Sequence, residues 1–202
     1  FVKISMKKER GQMDKKRVVK LVLFIAFITI CISAYSIYSK GKETIDTKYG
    51  LAYGDPNAKI KMVEYMSFQC IDCYELHENI GDTLRDKIKN GEIYYVVKHV
   101  DFEKFKYDDV IFNRIDNLDK IETVDYIMDN YKTWSKMKNV KDVEEFFKLG
   151  AIKKDRVEMQ KHILSERDDL GIDFIPTFYL NGEKHVGSFT EKEFNKMISD
   201  VK

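Results

Sequence analysis

Two cysteines stand three positions apart, in Cys70-Ile71-Asp72-Cys73, where a β-forming stretch gives way to an amphipathic helical pattern. At the start of a helix, unpaired backbone N–H groups and the helix dipole stabilise negative charge, so they favour the thiolate form of Cys70. Cys73 follows one helical turn later and is within reach to close a disulfide. The spacing therefore predicts a pair that cycles between dithiol and disulfide by thiolate exchange.

Three other interpretations of this pair stay open. It could form a stable structural disulfide, since the segment before it predicts a location outside the cytoplasm. It could supply two ligands of a metal site, with His77 and His99 as the others, although nothing in their spacing favours such a site. The spacing could also be a coincidence in a fold without catalytic function.

Pro176 is one of only two prolines among the 202 residues. It stands in Ile175-Pro176-Thr177, directly before a short β-forming stretch. Proline is unfavourable beside a paired strand unless it has a positional role. A cis bond between Ile175 and Pro176 would be such a role, and the sequence alone leaves the isomer open.

The elements that must position these residues begin with a β-α-β unit. The residue pattern predicts a buried strand over residues 59–68 and, from apolar residues at four-residue steps, a helix from Cys73 to about residue 90. A second strand is predicted over residues 92–100. This order predicts an α/β fold in which the two strands are parallel neighbours.

Helical periodicity then runs from about residue 103 to residue 170, which predicts an all-helical subdomain inserted into the α/β fold. After it, Asn181-Gly182 lies between two short strands and predicts a hairpin, followed by a last helix. Two predicted capping boxes mark helix starts, one formed by Thr190 and Glu193 and one formed by Asp155 and Glu158.

The N-terminal part of the chain has a different character. Residues 21–38 carry no charge and are just long enough to cross a bilayer, and the basic residues 1–20 before them predict a cytoplasmic leader. The sequence therefore predicts a transmembrane anchor, with a cleaved signal peptide as the alternative. Cys31 is interpreted as an apolar residue of this segment. Residues 39–57 are predicted to be a tether, and residues 58–202 the folded domain.

The net charge of +1 hides an uneven distribution. Residues 1–42 contain 10 Lys and Arg against 2 Asp and Glu, whereas the remaining residues contain 25 against 32. Phosphate affinity requires clustered basic side chains, so the acidic body argues against nucleic-acid binding.

Together these features resemble the thioredoxin superfamily, and within it the DsbA family of extracytoplasmic thiol–disulfide oxidoreductases, including the membrane-anchored Bdb-type members of Gram-positive bacteria. The resemblance covers roughly residues 50–200 and implies a thioredoxin fold with an inserted all-helical subdomain. It depends on the cysteine motif at the strand–helix junction, on the inserted helices, and on Ile175-Pro176 before a hairpin and a final helix. Further matches are Gln69 before the first cysteine, the single glutamate Glu64 in the apolar strand, and the strand end at residues 98–102.

The resemblance implies a role for each matching residue. Cys70 corresponds to the exposed nucleophile that forms a mixed disulfide with the substrate, and Cys73 to the buried resolving thiol. The segment Ile175-Pro176-Thr177 corresponds to the cis-proline loop, which faces the disulfide and offers backbone hydrogen bonds to an extended substrate.

Two charged residues complete the implied site. Glu64 corresponds to a buried acid that exchanges a proton with Cys73, and Lys98 corresponds to a lysine that pairs with this glutamate. An ordinary carboxylate at the edge of the sheet is the alternative for Glu64.

Ile71 and Asp72 depart from the Pro-His pair that oxidising members of the family usually carry. A carboxylate beside Cys70 raises the pKa of that thiol by repulsion between like charges. A less favoured thiolate makes the reduced form less stable and the disulfide less oxidising. The sequence thus predicts a weaker oxidant than the strongly oxidising members.

The expected function is transfer of the Cys70–Cys73 disulfide to reduced or unfolded secreted and surface proteins by a membrane-anchored monomer. The resemblance implies a membrane quinone-linked partner for reoxidation and no metal or organic cofactor. One alternative is a reductase of the same fold, fed by a membrane electron donor. Another is a non-catalytic binding or chaperone module with a structural disulfide.

Overall fold

The computed structural model describes residues 15–39 and 45–201, with side chains over residues 19–33 and 45–201. Helix α1, Lys15–Ser39, belongs to one compact unit, and the elements that follow belong to another. The first part of the predicted leader, residues 1–14, and part of the predicted tether, residues 40–44, lie outside the described residues.

No helix in the described part of the chain is both long and apolar enough to cross a membrane. The prediction of a membrane-spanning helix over residues 21–38 is not supported by the structure.

The second unit contains a mixed sheet with the strand order β1-β3-β2-β4-β5. Neighbours β2 and β3 are parallel, and the other three pairings are antiparallel. The predicted β-α-β unit and the C-terminal hairpin are thus both present. The strands are β1 (Leu51–Tyr53), β2 (Ile60–Met66), β3 (Ile93–His99), β4 (Thr177–Leu180) and β5 (Glu183–Val186).

Strand β1 lies within the range that the sequence predicts as a tether. Leu51 and Tyr53 are buried, whereas Ala52 between them is exposed, so the strand presents one apolar face to the core. The Tyr53 hydroxyl also donates a hydrogen bond to the Leu118 carbonyl at 2.7 Å. Three residues are too few for a period of two to be recognised in a sequence, so the edge strand could be found only in the structure.

Helices α2 (Ile71–Lys89) and α8 (Glu191–Asp200) belong to the α/β core, and five helices lie between β3 and β4. Leu76, Ile80 and Leu84 form the buried stripe of α2. The intervening helices fall within the range predicted as an insertion. They are α3 (Asp108–Arg114), α4 (Ile121–Asp129), α5 (Tyr131–Trp134), α6 (Val140–Phe147) and α7 (Lys154–Asp169).

The two faces of the sheet contact different helices, and this decides which side chains reach the cysteines. Met62 and Met66 of β2 belong to the core that includes the buried residues of α2. Val63 and Tyr65 face the other way, into a second core that includes Ile163 of α7. Because successive side chains of a strand point to opposite faces, Glu64 lies on the α2 side.

Candidate active site

The cysteine pair lies at the start of α2, as predicted. Cys70 is the residue before the first turn, in an extended backbone conformation, and Cys73 lies within that turn. Both thiols are free, and both are largely buried, with 5% and 1% of their surface exposed. A groove of about 230 Å³ beside Cys70, lined also by Ile71, Phe174 and Ile175, opens the first thiol to solvent.

The surroundings shift the pKa values of the two thiols in opposite directions. The hydrogen bond from the Cys73 thiol contributes most to lowering the pKa of Cys70; burial opposes it, and backbone N–H groups of Cys73 and Asp72 assist it. The pKa of Cys73 is raised well above its usual value, mainly by burial and then by the hydrogen bond and charge of Cys70. The thiolate form is thus favoured at Cys70 and the protonated form at Cys73.

The proline loop faces this pair. The Ile175–Pro176 bond is cis, and the Cys70 thiol donates a hydrogen bond to the Ile175 carbonyl over 3.5 Å. Thr177 was predicted to contact substrate, but its side chain is 1% exposed and its hydroxyl donates to the Phe174 carbonyl at 2.7 Å. Thr177 thus stabilises the loop from inside, while the backbone of Ile175 lies beside the Cys70 thiol.

Ile71 and Asp72 are both exposed between the cysteines. The Asp72 charge raises the pKa of Cys70, as the sequence predicts, but it ranks behind the Cys73 thiol, burial and two backbone N–H groups. The Asp72 side chain is exposed to water, whose high dielectric constant weakens the effect of its charge. The net pKa of Cys70 is consequently lowered, despite the neighbouring carboxylate.

Glu64 lies beneath the pair, where the resemblance implies a buried acid. It is 4% exposed and accepts a hydrogen bond from the Tyr95 hydroxyl. Burial raises the pKa of Glu64 to about 7, and the Tyr95 hydrogen bond opposes that rise. Glu64 and Cys73 both line a cavity of about 30 Å³, which has room for a water molecule between them. The carboxyl group can therefore exchange a proton with Cys73 near neutral pH.

The prediction that Lys98 pairs with Glu64 is wrong. In the parallel ladder Lys98 lies opposite Tyr65, one position beyond Glu64, so its side chain points to the other face of the sheet. There its ammonium group is fully buried and forms an ion pair with Glu166 of α7. Lys98 accordingly belongs to the core on the α7 side and not to the cysteine site.

A sequence model of the thioredoxin family matches residues 46–200, which is most of the chain and includes the whole cysteine site. The chain belongs to the thioredoxin family. No curated protein sequence matches it.

Solved structures show how this thioredoxin-family chain resembles known folds. A conserved protein of unknown function from Enterococcus faecalis superposes with a TM-score of 0.68 and 21% identity, over 77% of this chain and 93% of that one. The structure of alpha-DsbA1 from Wolbachia pipientis superposes with a TM-score of 0.59 and 20% identity, over 78% of this chain and 92% of that one. The structure of oxidised BdbD from Bacillus subtilis superposes with a TM-score of 0.60 and 13% identity, over 79% of this chain and 96% of that one. The fold is DsbA-like, as the sequence predicts.

Sequence reasoning missed how this thioredoxin-family site is attached to its helical insertion. The buried Asp108 carboxylate, at the start of α3, accepts hydrogen bonds from the Ser67 hydroxyl and, at 3.0 Å, from the Gln69 N–H. The Tyr131 hydroxyl donates to the Gln69 carbonyl at 3.2 Å, and the Tyr107 N–H donates to the Gln69 side chain at 2.6 Å. The loop before the first cysteine is thus held by the insertion. No local motif at Asp108 signals this contact.

The two histidines that were considered as metal ligands lie in separate surroundings. His99 is buried, stacks on Phe112 at 4.5 Å and lies 3.7 Å from Asp108. His77 lies 3.2 Å from Asp129 of α4. Within the described ranges, no group of three His, Cys, Asp or Glu side chains could hold a metal ion.

Proposed function

We propose that this protein is a thiol–disulfide oxidoreductase that transfers its Cys70–Cys73 disulfide to the thiols of other proteins. The observation that carries the proposal is the division of the two thiols. One has a lowered pKa and borders a groove, and its partner is buried with a raised pKa. A stable structural disulfide has no need for such a division, whereas a nucleophile and its leaving group require it.

The reaction follows from these positions. A substrate thiolate attacks Cys70 of the oxidised pair, and the Cys73 sulfur leaves as a thiolate that takes the proton of Glu64. A second substrate thiolate then attacks the substrate sulfur of the mixed disulfide and releases the Cys70 thiolate. The substrate loses two electrons and the protein gains them as a dithiol. The Ile175 backbone beside Cys70 supplies hydrogen bonds that align an extended substrate.

The proposal places the domain outside the cytoplasm, acting as a monomer on reduced or unfolded secreted and surface proteins. In the sequence, the basic residues 1–20 precede the uncharged residues 21–38, which is the pattern of a secretory signal peptide and supports this location. A protein that leaves each cycle as a dithiol needs an electron acceptor, and a membrane quinone-linked partner would meet that need. The chemistry requires no metal or organic cofactor.

Replacing Cys73 with serine should trap substrates on Cys70. When the Cys70 thiolate attacks a mixed disulfide between an unfolded client and glutathione, it expels the glutathione thiolate and bonds to the client. Without the buried thiol no internal group resolves this adduct, so the adduct should accumulate. Non-reducing electrophoresis and mass spectrometry of the adducts measure this.

The matched control for trapping is the double variant with Cys70→Ser and Cys73→Ser, which should form no adduct. If the Cys73→Ser protein binds clients without a covalent bond, the cysteine pair is structural and a binding module replaces the proposed enzyme.

The reduction potential of the pair should be more negative than the value of about −120 mV that marks a strong disulfide oxidant. The Asp72 charge opposes the net lowering of the Cys70 pKa, so the reduced form is less stable than it would be without this carboxylate. Equilibration with glutathione measures the potential. The variant Asp72→Asn should shift it toward less negative values by a small amount, because the Asp72 charge ranks last among the effects on that thiol.

The same measurement separates the two redox directions. A value near about −120 mV would contradict the weaker-oxidant proposal, and a value near about −270 mV, that of thioredoxin itself, would favour the reductase alternative.

A further inference from the structure

The cavity between Cys73 and Glu64 has a third titratable side chain in its wall. His77 lies one helical turn after Cys73 on α2 and lines the same cavity of about 30 Å³. Its side chain is 14% exposed, so the ring lies between the interior and the surface. The proposed exchange reaction moves a proton in and out of this enclosed space, and the proton needs a route to solvent.

The outer side of the His77 ring faces carboxylates of α4. Nε2 lies 3.2 Å from an Asp129 oxygen and 3.9 Å from an Asp125 oxygen. The Asp129 side chain is 62% exposed and in contact with water. Asp125 is also held by Arg85 of α2 at 2.8 Å, which leaves Asp129 as the carboxylate closest to the imidazole.

The inner side of the ring faces the groups of the proposed reaction. Besides His77, the titratable side chains that line the cavity are Cys73 of α2, Glu64 of β2 and Tyr95 of β3. Tyr95 already donates its hydroxyl to Glu64, and burial raises its pKa well above the usual value, so it holds its proton. His77 is therefore the group of the cavity wall that also reaches a solvent-exposed carboxylate.

Gly81 keeps space beside this ring. It lies in the middle of α2, where glycine costs about 1 kcal/mol relative to alanine, and it lines the same cavity. A Cβ at this position would lie 3.5 Å from the His77 ring and 3.2 Å from an Arg85 nitrogen. A Cβ would thus be in ordinary contact with the ring, and the glycine leaves this side of the imidazole open.

We propose that His77 is the outlet through which the proton shared by Cys73 and Glu64 exchanges with solvent. The proposal deepens the proposed oxidoreductase function and depends on it. When a mixed disulfide at Cys70 is resolved, the Cys73 thiol gives its proton to the Glu64 carboxylate through the cavity. Glu64 passes it to His77, and the imidazolium releases it to water beside Asp129. The Cys73 thiolate then attacks Cys70, forming the internal disulfide and expelling the other thiolate.

The test follows the two steps in which oxidised glutathione oxidises the reduced protein. The first step, attack by Cys70, gives a glutathione adduct; the second, attack by Cys73, removes it. In His77→Gln the first rate should be unchanged, and the second should fall about tenfold, less than the roughly 100-fold loss of a direct general acid or base. Acid quenching and mass spectrometry across about pH 5 to pH 8 should show the adduct accumulating.

Two further variants sharpen the result. His162→Gln removes an exposed histidine that stacks on Tyr49 at 4.0 Å, and both steps should keep their rates. Asp129→Asn removes an exposed carboxylate without disturbing the core, and it should slow the second step partly. If His77→Gln loses the first step as well and is therefore misfolded, Asp129→Asn becomes the test of the His77 outlet.

The outcomes separate the two proposals. An unchanged second step and pH profile in His77→Gln, or in Asp129→Asn if the first variant misfolds, overturns the outlet and leaves the oxidoreductase function intact. Failure of the wild-type protein to exchange with glutathione at all overturns the proposed function itself.

Discussion

Replacing Glu64 with glutamine should raise the free energy of unfolding by about 3 kcal/mol at pH 8 and leave it nearly unchanged at pH 4. Burial raises the pKa of Glu64 from 4.5 to about 7 in the folded protein. Between those values the unfolded chain has lost a proton that the folded protein keeps, so stability falls as the pH rises through this window. Glutamine removes that loss and still accepts the Tyr95 hydrogen bond.

Urea denaturation at the two pH values measures the difference, and the slope against urea should stay constant. The gain in stability should come with slower chemistry, because glutamine cannot take the Cys73 proton and resolution of mixed disulfides should fall by about 100-fold. The control is Glu75→Gln, at an exposed position of α2. It should change the free energy of unfolding by less than about 0.5 kcal/mol. Equal stability of Glu64→Gln and wild type at pH 8 would mean that Glu64 is ionised without penalty.

Replacing Glu166 with alanine should destabilise the protein by about 3 to 5 kcal/mol. Lys98 is fully buried on the α7 side of the sheet, and its ammonium group forms an ion pair with Glu166. Removing the carboxylate leaves a buried charge without its partner. Adding Lys98→Met to the same chain removes that charge and should recover most of the loss, because a buried pair and an apolar replacement are often of similar stability. Urea denaturation of the single and double variants measures both changes.

The same variants test the position of Lys98 relative to the cysteines. Lys98→Met should leave the glutathione equilibrium of the Cys70–Cys73 pair unchanged, since the sheet separates Lys98 from Glu64. A shifted equilibrium would show that Lys98 acts on Glu64 after all. As a control, Glu64→Gln should slow the second step of exchange, which is measured by following the same glutathione reaction over time.

Periodicity predicted the core elements well because each carries its own pattern. The strand predicted over residues 59–68 is Ile60–Met66, and the helix predicted from Cys73 begins two residues earlier, at Ile71. The capping box of Thr190 and Glu193 is present with both of its hydrogen bonds. These features depend on residues that are close together in the sequence, so one sequence is enough to predict them.

The second predicted capping box shows the limit of local patterns. Helix α7 begins at Lys154, before Asp155, and no side chain caps its first turn. The Glu158 carboxylate instead pairs with Lys161 one turn later, at 2.7 Å. A pattern of two residues fits more than one local arrangement, and packing of the helix chooses between them.

The residues of the site also divide into those that the sequence could predict and those that it could not. Cys70, Cys73 and Pro176 could be predicted because a short motif and a position before a strand mark them. The partner of Lys98 could not, because a shift of one residue along a strand exchanges the two faces of the sheet. The contact of Asp108 with Ser67 and Gln69 joins residues about forty positions apart, and a single sequence contains no signal for it.

That contact also limits how the protein can be simplified. An engineer who trimmed the chain to a minimal thioredoxin core would remove Asp108, Tyr107 and Tyr131 together with the inserted helices. The Gln69 N–H and the Ser67 hydroxyl would then lose their shared acceptor, the Asp108 carboxylate, directly beside Cys70. The insertion is therefore part of the scaffold of the cysteine loop. Transplanting the cysteine motif without the insertion would transfer its residues but not the contacts that hold their conformation.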